Sequence, residues 1–488
     1  MANITFGSYS PPKEEVDEAV DIVFGVFFDG TLNNKVNTKE RENNTQIYKK
    51  NGIKTWTKKQ LSEKEDTSYD NDWSNVARMS ECSEKGYQIY IEGIGTEDYQ
   101  EDSSDGFAFG SGESGIRSKV RKGCEEIVAG IKKKLGNKDT VGVLTLDVFG
   151  FSRGAAAARN FVYEISKQKY KAKSTTYSKR KVNVTIYRDD DGKDVPLKEL
   201  PPKGHLGLKL GEAGIKVERI VVRFLGIYDT VSSHHPNFSV KPNFSNDIEE
   251  LHLDDITSAK NIIHFIAADE HRENFDLTNV AYDKDAKGKK QVPVYFGIEK
   301  TFPGVHSDIG GSYLSEREWV REIETDWTNK NDLKPLEDRL VAEGWYKRDQ
   351  LSYIGGNMYW ALTGKRQLLQ TYSFIPLKFM TEKANTAKCT QISLSKVNKA
   401  YDFSKDALLV RVETKLRNYV FGNGAPYDFK WFTDIDKKYK GNEKNPNYLK
   451  EVDEQKDLRT LRNKYLHWSA DRYAIGMDPR SDRKRVIH

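Results

Sequence analysis

The stretch VGVLTLDVFGFSRGAAAARNF, residues 141–161, constrains this chain more than any other. An apolar run of strand length leads into Gly150-Phe151-Ser152-Arg153-Gly154, and an alanine-rich run of helical pattern follows. A strand that bends sharply into a helix leaves no space for side chains at the flanking positions, which accounts for Gly150 and Gly154. The same bend lifts the Ser152 hydroxyl out at the carboxyl edge of the sheet. The helix that begins there aims its first backbone N–H groups at that spot, which favours a developing oxyanion. Ala155, Ala156, Ala157 and Ala158 let this helix lie close to the sheet. The pattern reads as a nucleophile elbow; a phosphate-binding turn or a plain tight helix start is the competing reading.

Further runs rich in Val, Ile and Phe at 21–28, 87–92 and 219–228 read, with 141–149, as buried parallel strands. Helical patterns at 73–84, 115–135 and 153–167 fall between them. The expected fold class is α/β: an α/β-hydrolase-like, mainly parallel, doubly wound sheet. Residues 1–20 form an amino-terminal extension and 21–315 the catalytic domain, with a Lys-rich insertion at about 170–216 read as a solvated loop or hairpin. Residues 316–488 are expected to be a mostly helical accessory region packed on that domain. Its first part, beyond Tyr313, reads as acidic, Trp-containing helix. Its aromatic segments, 352–362 and 371–380, are read as core in preference to a lid exposing Tyr359, Trp360, Phe374 and Phe379. The basic stretch RSDRKR, residues 480–485, is expected to fray.

A serine hydroxyl attacks only when a base takes its proton, and that base needs an acid to hold its tautomer. In this architecture the order along the chain is Ser, then Asp or Glu, then His. Asp229 ends the run ERIVVRFLGIYDTV at a strand's carboxyl edge, and His306 lies in FPGVHSDIGGSY, where Pro303, Gly304, Gly310 and Gly311 force an irregular loop. The rivals are His234 and His235, just past Asp229, and His264 and His271, whose segment NIIHFIAADEHRENF has helical spacing. His252 and His467 have no loop signature. Among acids, Asp254, Asp255 and Asp308 compete, but Asp229 alone ends a strand. For the oxyanion hole, one donor is the N–H of Arg153; the second is expected from Asp29-Gly30-Thr31, where Gly30 permits close backbone approach.

Other chemistries find little support. Cys82, Cys124 and Cys389 stand far apart, so neither a disulfide framework nor a cysteine-based zinc site is expected. GSGESGIRSK, residues 110–119, lacks the Walker and dinucleotide spacings, and EDYQEDSSDG, residues 97–106, does not match an EF-hand loop. No metal and no cofactor is expected. With 78 Lys plus Arg against 73 Asp plus Glu, the net charge of +5 is too small to argue for nucleic acid. The amino-terminal residues put Lys13, Glu14, Glu15, Asp17 and Glu18 before a short apolar run, the reverse of a Sec signal. Synthesis in the cytoplasm is expected, with export by another route open.

Five segments in order, FFDGTLNN, GFSRGAAAARNF, FLGIYDTV, AADEHRENF and FPGVHSDIGGSY, resemble the catalytic domain of bacterial type VI secretion phospholipase effectors, the first lipase effector family. LHWSADRY, residues 466–473, resembles a further family segment. The resemblance implies phospholipase A-type hydrolysis of glycerophospholipid acyl esters by Ser152 as nucleophile, Asp229 as acid and His306 as base. It further implies an antibacterial toxin that leaves by the type VI machinery with a spike or tube component. That toxin acts on the phospholipid membrane from the target cell's periplasm and is neutralised in the producer by an immunity protein. The Lys-rich insertion and the modest region beyond 316 depart from the family pattern. Nothing in the elbow itself specifies lipid. An esterase or thioesterase for soluble acyl substrates, and a non-catalytic membrane-active toxin or adaptor on a hydrolase scaffold, are the alternatives.

Overall fold

The computed structural model describes residues 19–52, 67–102, 115–179, 182–232, 248–284, 290–295, 297–356, 358–474 and 476–488. Six strands, β1 (Val20–Phe28), β2 (Gln88–Ile91), β3 (Thr140–Phe151), β4 (Lys216–Tyr228), β5 (Ile262–Ala267) and β6 (Ile298–Phe302), form one sheet in the order β2-β1-β3-β4-β5-β6. Every neighbouring pair is parallel, with Phe28 opposite Gly150, Gly150 opposite Ile227 and Tyr228 opposite Phe265. All the loops that follow these strands therefore emerge on one rim. The order reverses between β1 and β3, and ligands of open α/β sheets bind at the carboxyl ends beside such a reversal.

The four strands expected from the sequence are present, their ends shifted by a few residues. β5 is a correction: the segment holding His264 has helical spacing but forms a strand. All six residues of β5 are buried, and a short run covered on both faces has no polar-apolar alternation to mark it as a strand.

Each sheet face carries its own apolar layer. On one lie the helices Ile116–Leu135, Arg153–Ser166 and Gly204–Glu212. The first of these buries Ile116, Val120, Cys124, Ile127, Ile131 and Leu135, the three-and-four spacing of an amphipathic helix. The helix Gly204–Glu212 buries Leu206 and Leu210 in this layer, so it belongs to the scaffold. What protrudes from the Lys-rich insertion is the antiparallel trio Lys173–Lys179, Val182–Arg188 and Asp194–Val195, a hairpin with one added strand.

The opposite face is covered by the helix Asn75–Glu81 and by residues beyond 316. Phe27, Phe149, Phe224 and Phe265 of the sheet share one core with Ile375, Leu377, Phe379 and Met380 of the helix Phe374–Thr386. That core continues to Leu409, Leu458 and Leu466. Phe374 and Phe379 are thus buried, while Tyr359 and Trp360 are half-buried in a β-hairpin.

Of the stretches read as acidic helix beyond Tyr313, Lys334–Ala342 is helical, but the first is instead the strand Arg317–Asp326, paired in an antiparallel sheet with Tyr359–Gln367 and Leu351–Gly356. Its register shifts between Val320 and Glu324, which breaks the two-residue period. The buried Val320 and Ile323 consequently stand three apart, as on a helix. The basic stretch 480–485 does not fray. The Leu277 N–H donates to Val486 O at 3.0 Å, the His488 N–H to Leu277 O at 2.8 Å and the Arg480 N–H to His271 O at 2.9 Å. Arg480 pairs with Asp276 at 2.5 Å and Arg483 with Glu324 at 2.9 Å. A buried carboxylate, Asp276, and a half-buried one, Glu324, organise a tract that composition alone marks as wet surface.

Candidate active site

Ser152 sits between β3 and the helix Arg153–Ser166 with φ 59° and ψ −131°, a strained conformation for a residue with a side chain. A Cβ on Gly150 would lie 2.5 Å from Gly154 O, and one on Gly154 would lie 2.1 Å from Asp29 O. Backbone on both sides closes these positions to anything but glycine. The Ser152 N–H donates to Tyr228 O at 3.1 Å, and Val231 N–H donates to Ser152 O at 3.4 Å. The serine is therefore stitched to the backbone on either side of Asp229. It is buried, and its hydroxyl does not cap the helix that it opens.

The structure brings Asp229 and His306 together, with the His306 Nδ1 2.5 Å from the Asp229 Oδ2. Asp229, also at positive φ, is fixed by its own N–H to Phe265 O and by the Ala267 N–H to its Oδ1, both at 2.8 Å. His306 opens the short helix His306–Gly310 after β6, and its backbone N–H donates to Glu270 Oε2 at 3.2 Å. Its ring lies between Phe151 and Phe275, with centroids at 4.6 Å and 5.1 Å. Its Nε2 is buried with no hydrogen-bond partner among the described residues. Burial pulls the His306 imidazole below its ordinary value, against the hydrogen bond and charge of Asp229. Burial alone would raise the Asp229 carboxyl, but the Arg485 charge and the His306 hydrogen bond outweigh it and hold the group well below the usual carboxylate range.

In the loop after β1, expected to supply the second oxyanion donor, two backbone amides already have acceptors. The Asp29 N–H donates to Ile91 O at 2.9 Å, and the Gly30 N–H to the Asp29 carboxylate at 2.7 Å. Both amides are thus engaged within the fold. The Asp29 carboxylate also accepts from Ser74 and Tyr90, each at 2.5 Å; burial raises its pKa, against these bonds. Asp29 therefore locks the loop. The next amide, of Thr31, has no acceptor among the described residues, and Thr31 Oγ1 accepts from Arg153 Nε at 2.7 Å. Burial draws the Arg153 guanidinium down to about 10.

The rival residues are accounted for elsewhere. His264 pairs with Glu299 at 2.8 Å and accepts from the Thr230 N–H at 3.1 Å. His271 is directed to Asp269 O and packs edge-on against Trp468. His252 stacks on Tyr163 and meets Asp255, while His467 pairs with Asp308 at 2.8 Å. Asp254 pairs with Arg159. His234 and His235 lie outside the described residues, as do residues 103–114 of the acidic and Gly-rich stretches. No group of three metal-ligating side chains occurs among the described residues. Sequence reasoning missed Glu270, Phe275 and Arg485. Glu270 follows closely on the end of a strand, the same signal that singled out Asp229, whereas Arg485 is one cation in a basic tract.

A family model for the catalytic domain of Tle1-like phospholipase effectors of the type VI secretion system matches residues 23–331. The chain belongs to the Tle1-like phospholipase effector family. The solved structure of "the Tle1 effector bound to the VgrG spike from the Type 6 secretion system" shares the fold, with TM-score 0.54 and 18% identity over 100% of this chain and 98% of that one. A crystal structure of an uncharacterized protein from Pseudomonas aeruginosa is a more distant likeness, at TM-score 0.35 and 17% identity over 92% of this chain and 64% of that one. No curated protein matches significantly. The Tle1-like match spans the elbow, Asp229 and His306, and it ends inside the region that covers the second face of the sheet.

Proposed function

We propose that this chain is a serine-dependent, phospholipase A-type hydrolase of glycerophospholipid acyl esters. The observation that carries the reading is the Asp229–His306 pair, buried on the same rim as the strained Ser152 in a chain of a phospholipase effector family. Ser152 Oγ attacks the ester carbonyl carbon while His306 Nε2 takes its proton, and Asp229 holds the Nδ1–H and balances the imidazolium. The N–H groups of Arg153 and Thr31 receive the oxyanion. Collapse breaks the ester C–O bond, and the lysophospholipid oxygen takes the proton back from His306. Water then repeats the cycle on the acyl-serine, releasing the fatty acid and restoring the serine.

As an effector, the chain leaves its producer through the type VI machinery on a spike component. The Tle1 effector of the solved complex is bound to VgrG, the precedent for that partner. It acts on phospholipid from the target cell's periplasm, and an immunity protein guards the producer. The test is mass spectrometry of products from vesicles of defined diacyl phospholipids, with Ser152→Ala alongside. Free fatty acid and lysophospholipid in equal amounts, absent with Ser152→Ala, are expected. Intact lipid together with cleavage of soluble acyl esters would make the chain an esterase. Toxicity retained in a folded Ser152→Ala protein would make it a non-catalytic toxin.

A further inference from the structure

We propose that Arg485 is a positioning residue of this site, fixing the Asp229 carboxylate and thereby tuning the protonation of His306. The inference rests on the Ser152, His306 and Asp229 reading above. Arg485 lies 256 residues beyond Asp229 in the chain, and it grips both carboxylate oxygens, Nη1 to Oδ1 at 2.6 Å and Nη2 to Oδ2 at 3.0 Å. Its Nε donates to Phe275 O at 2.6 Å, so the planar fork is held at three points. Phe275 in turn packs its ring against His306. One guanidinium thus ties the acid to the backbone of a residue that walls the imidazole.

Burial makes this pair consequential. The Arg485 side chain is 7% exposed and that of Asp229 is 0% exposed, so their attraction is little screened by water. A carboxylate gripped only by the imidazole would favour the imidazolium strongly; one shared with a guanidinium favours it less. Among the described residues, the charged groups that enter that balance at His306 are Asp229 at Nδ1, Glu270 at the backbone N–H, and the cations of Arg272 and Arg485. Arg272 is already gripped by Glu270 at 2.9 Å, and Asp308, on the short helix of His306, pairs with His467. Among the described residues, that leaves Arg485 as the cation committed to Asp229.

The segment around Arg485 has anchors of its own. Its backbone pairs with Leu277, Arg480 and His488 both hold Asp276, and Arg483 holds Glu324. Changing the Arg485 side chain therefore leaves the segment attached.

The experiment compares pH–rate profiles of the full chain on p-nitrophenyl butyrate for the parent, Arg485→Gln, Arg485→Lys and Ser152→Ala. Circular dichroism accompanies each, and NMR titration follows the His306 ring nitrogens. With Arg485→Gln, the acid limb and the His306 titration move up by about one pH unit. At a pH on the parent's acid limb that shift is about a tenfold loss of turnover. Arg485→Lys keeps the charge and leaves the limb near the parent's, with a lower plateau from the lost two-point grip. An unmoved limb in folded Arg485→Gln, with Ser152→Ala inactive, overturns the role of Arg485 and leaves the serine reading standing. Equal limb shifts in both Arg485 variants overturn the charge-based tuning. Full activity in Ser152→Ala overturns the serine reading and this inference with it.

Discussion

The two halves of the site are built by opposite means. The Ser152 corner is local: a few consecutive residues, two of them glycines against which backbone closes at 2.5 Å and 2.1 Å, force one strained serine. The Asp229–His306 corner is assembled from a distance, by Phe265 and Ala267, by Glu270 and Phe275, and by Arg485. Sterics hold the first and desolvated charge holds the second. The two should therefore fail differently, the elbow through folding and the acid–base pair through rate and pH.

The largest expected effect tests whether the halves act as one unit despite this. Ser152→Ala and His306→Ala are each expected to cut turnover by about 10⁶-fold, and the double variant no further; additive losses in steady-state assays would break the coupling. Asp229→Asn preserves the shape of the acid but presents the wrong tautomer to His306, with an expected loss of about 10⁴-fold and an unchanged circular dichroism spectrum. At the elbow the expected cost is in stability: Gly154→Ala drives a Cβ into Asp29 O and destabilises the fold by about 3 kcal/mol. Urea denaturation measures this, and an unaltered midpoint would remove the steric account of the corner. The finest test is pH. Burial depresses the His306 pKa, so the neutral base persists below 6.5 and turnover should fall only at lower pH. A limb above 6.5 would show that Asp229 outweighs burial.

The same contrast explains what the sequence reveals. The elbow is legible because its causes are neighbours in the chain, and Asp229 and His306 stand out because a strand end and a Gly-rich loop mark them. β5 is illegible because burial on both faces erases alternation. The strand Arg317–Asp326 misleads because a register shift sets Val320 and Ile323 at helical spacing. The Gly30 N–H is claimed by its neighbour's carboxylate, a bond that depends on Ser74 and Tyr90 arriving from elsewhere. Arg485 has no local signature, since only the identity of its partner, Asp229 rather than Asp276 or Glu324, distinguishes it from Arg480 or Arg483.

The shared core beneath the second face of the sheet bears on how such chains diversify. The match to the catalytic-domain model ends at residue 331, yet part of the cover over Phe149, Phe224 and Phe265 comes from side chains past residue 370. A fragment cut at residue 331 would keep the helix Asn75–Glu81 over this face but expose the aromatic surface that the later residues cover, and is expected to aggregate. Shuffling of downstream segments among relatives is correspondingly restricted, because any incoming cassette must bring a complementary underside for the sheet it inherits.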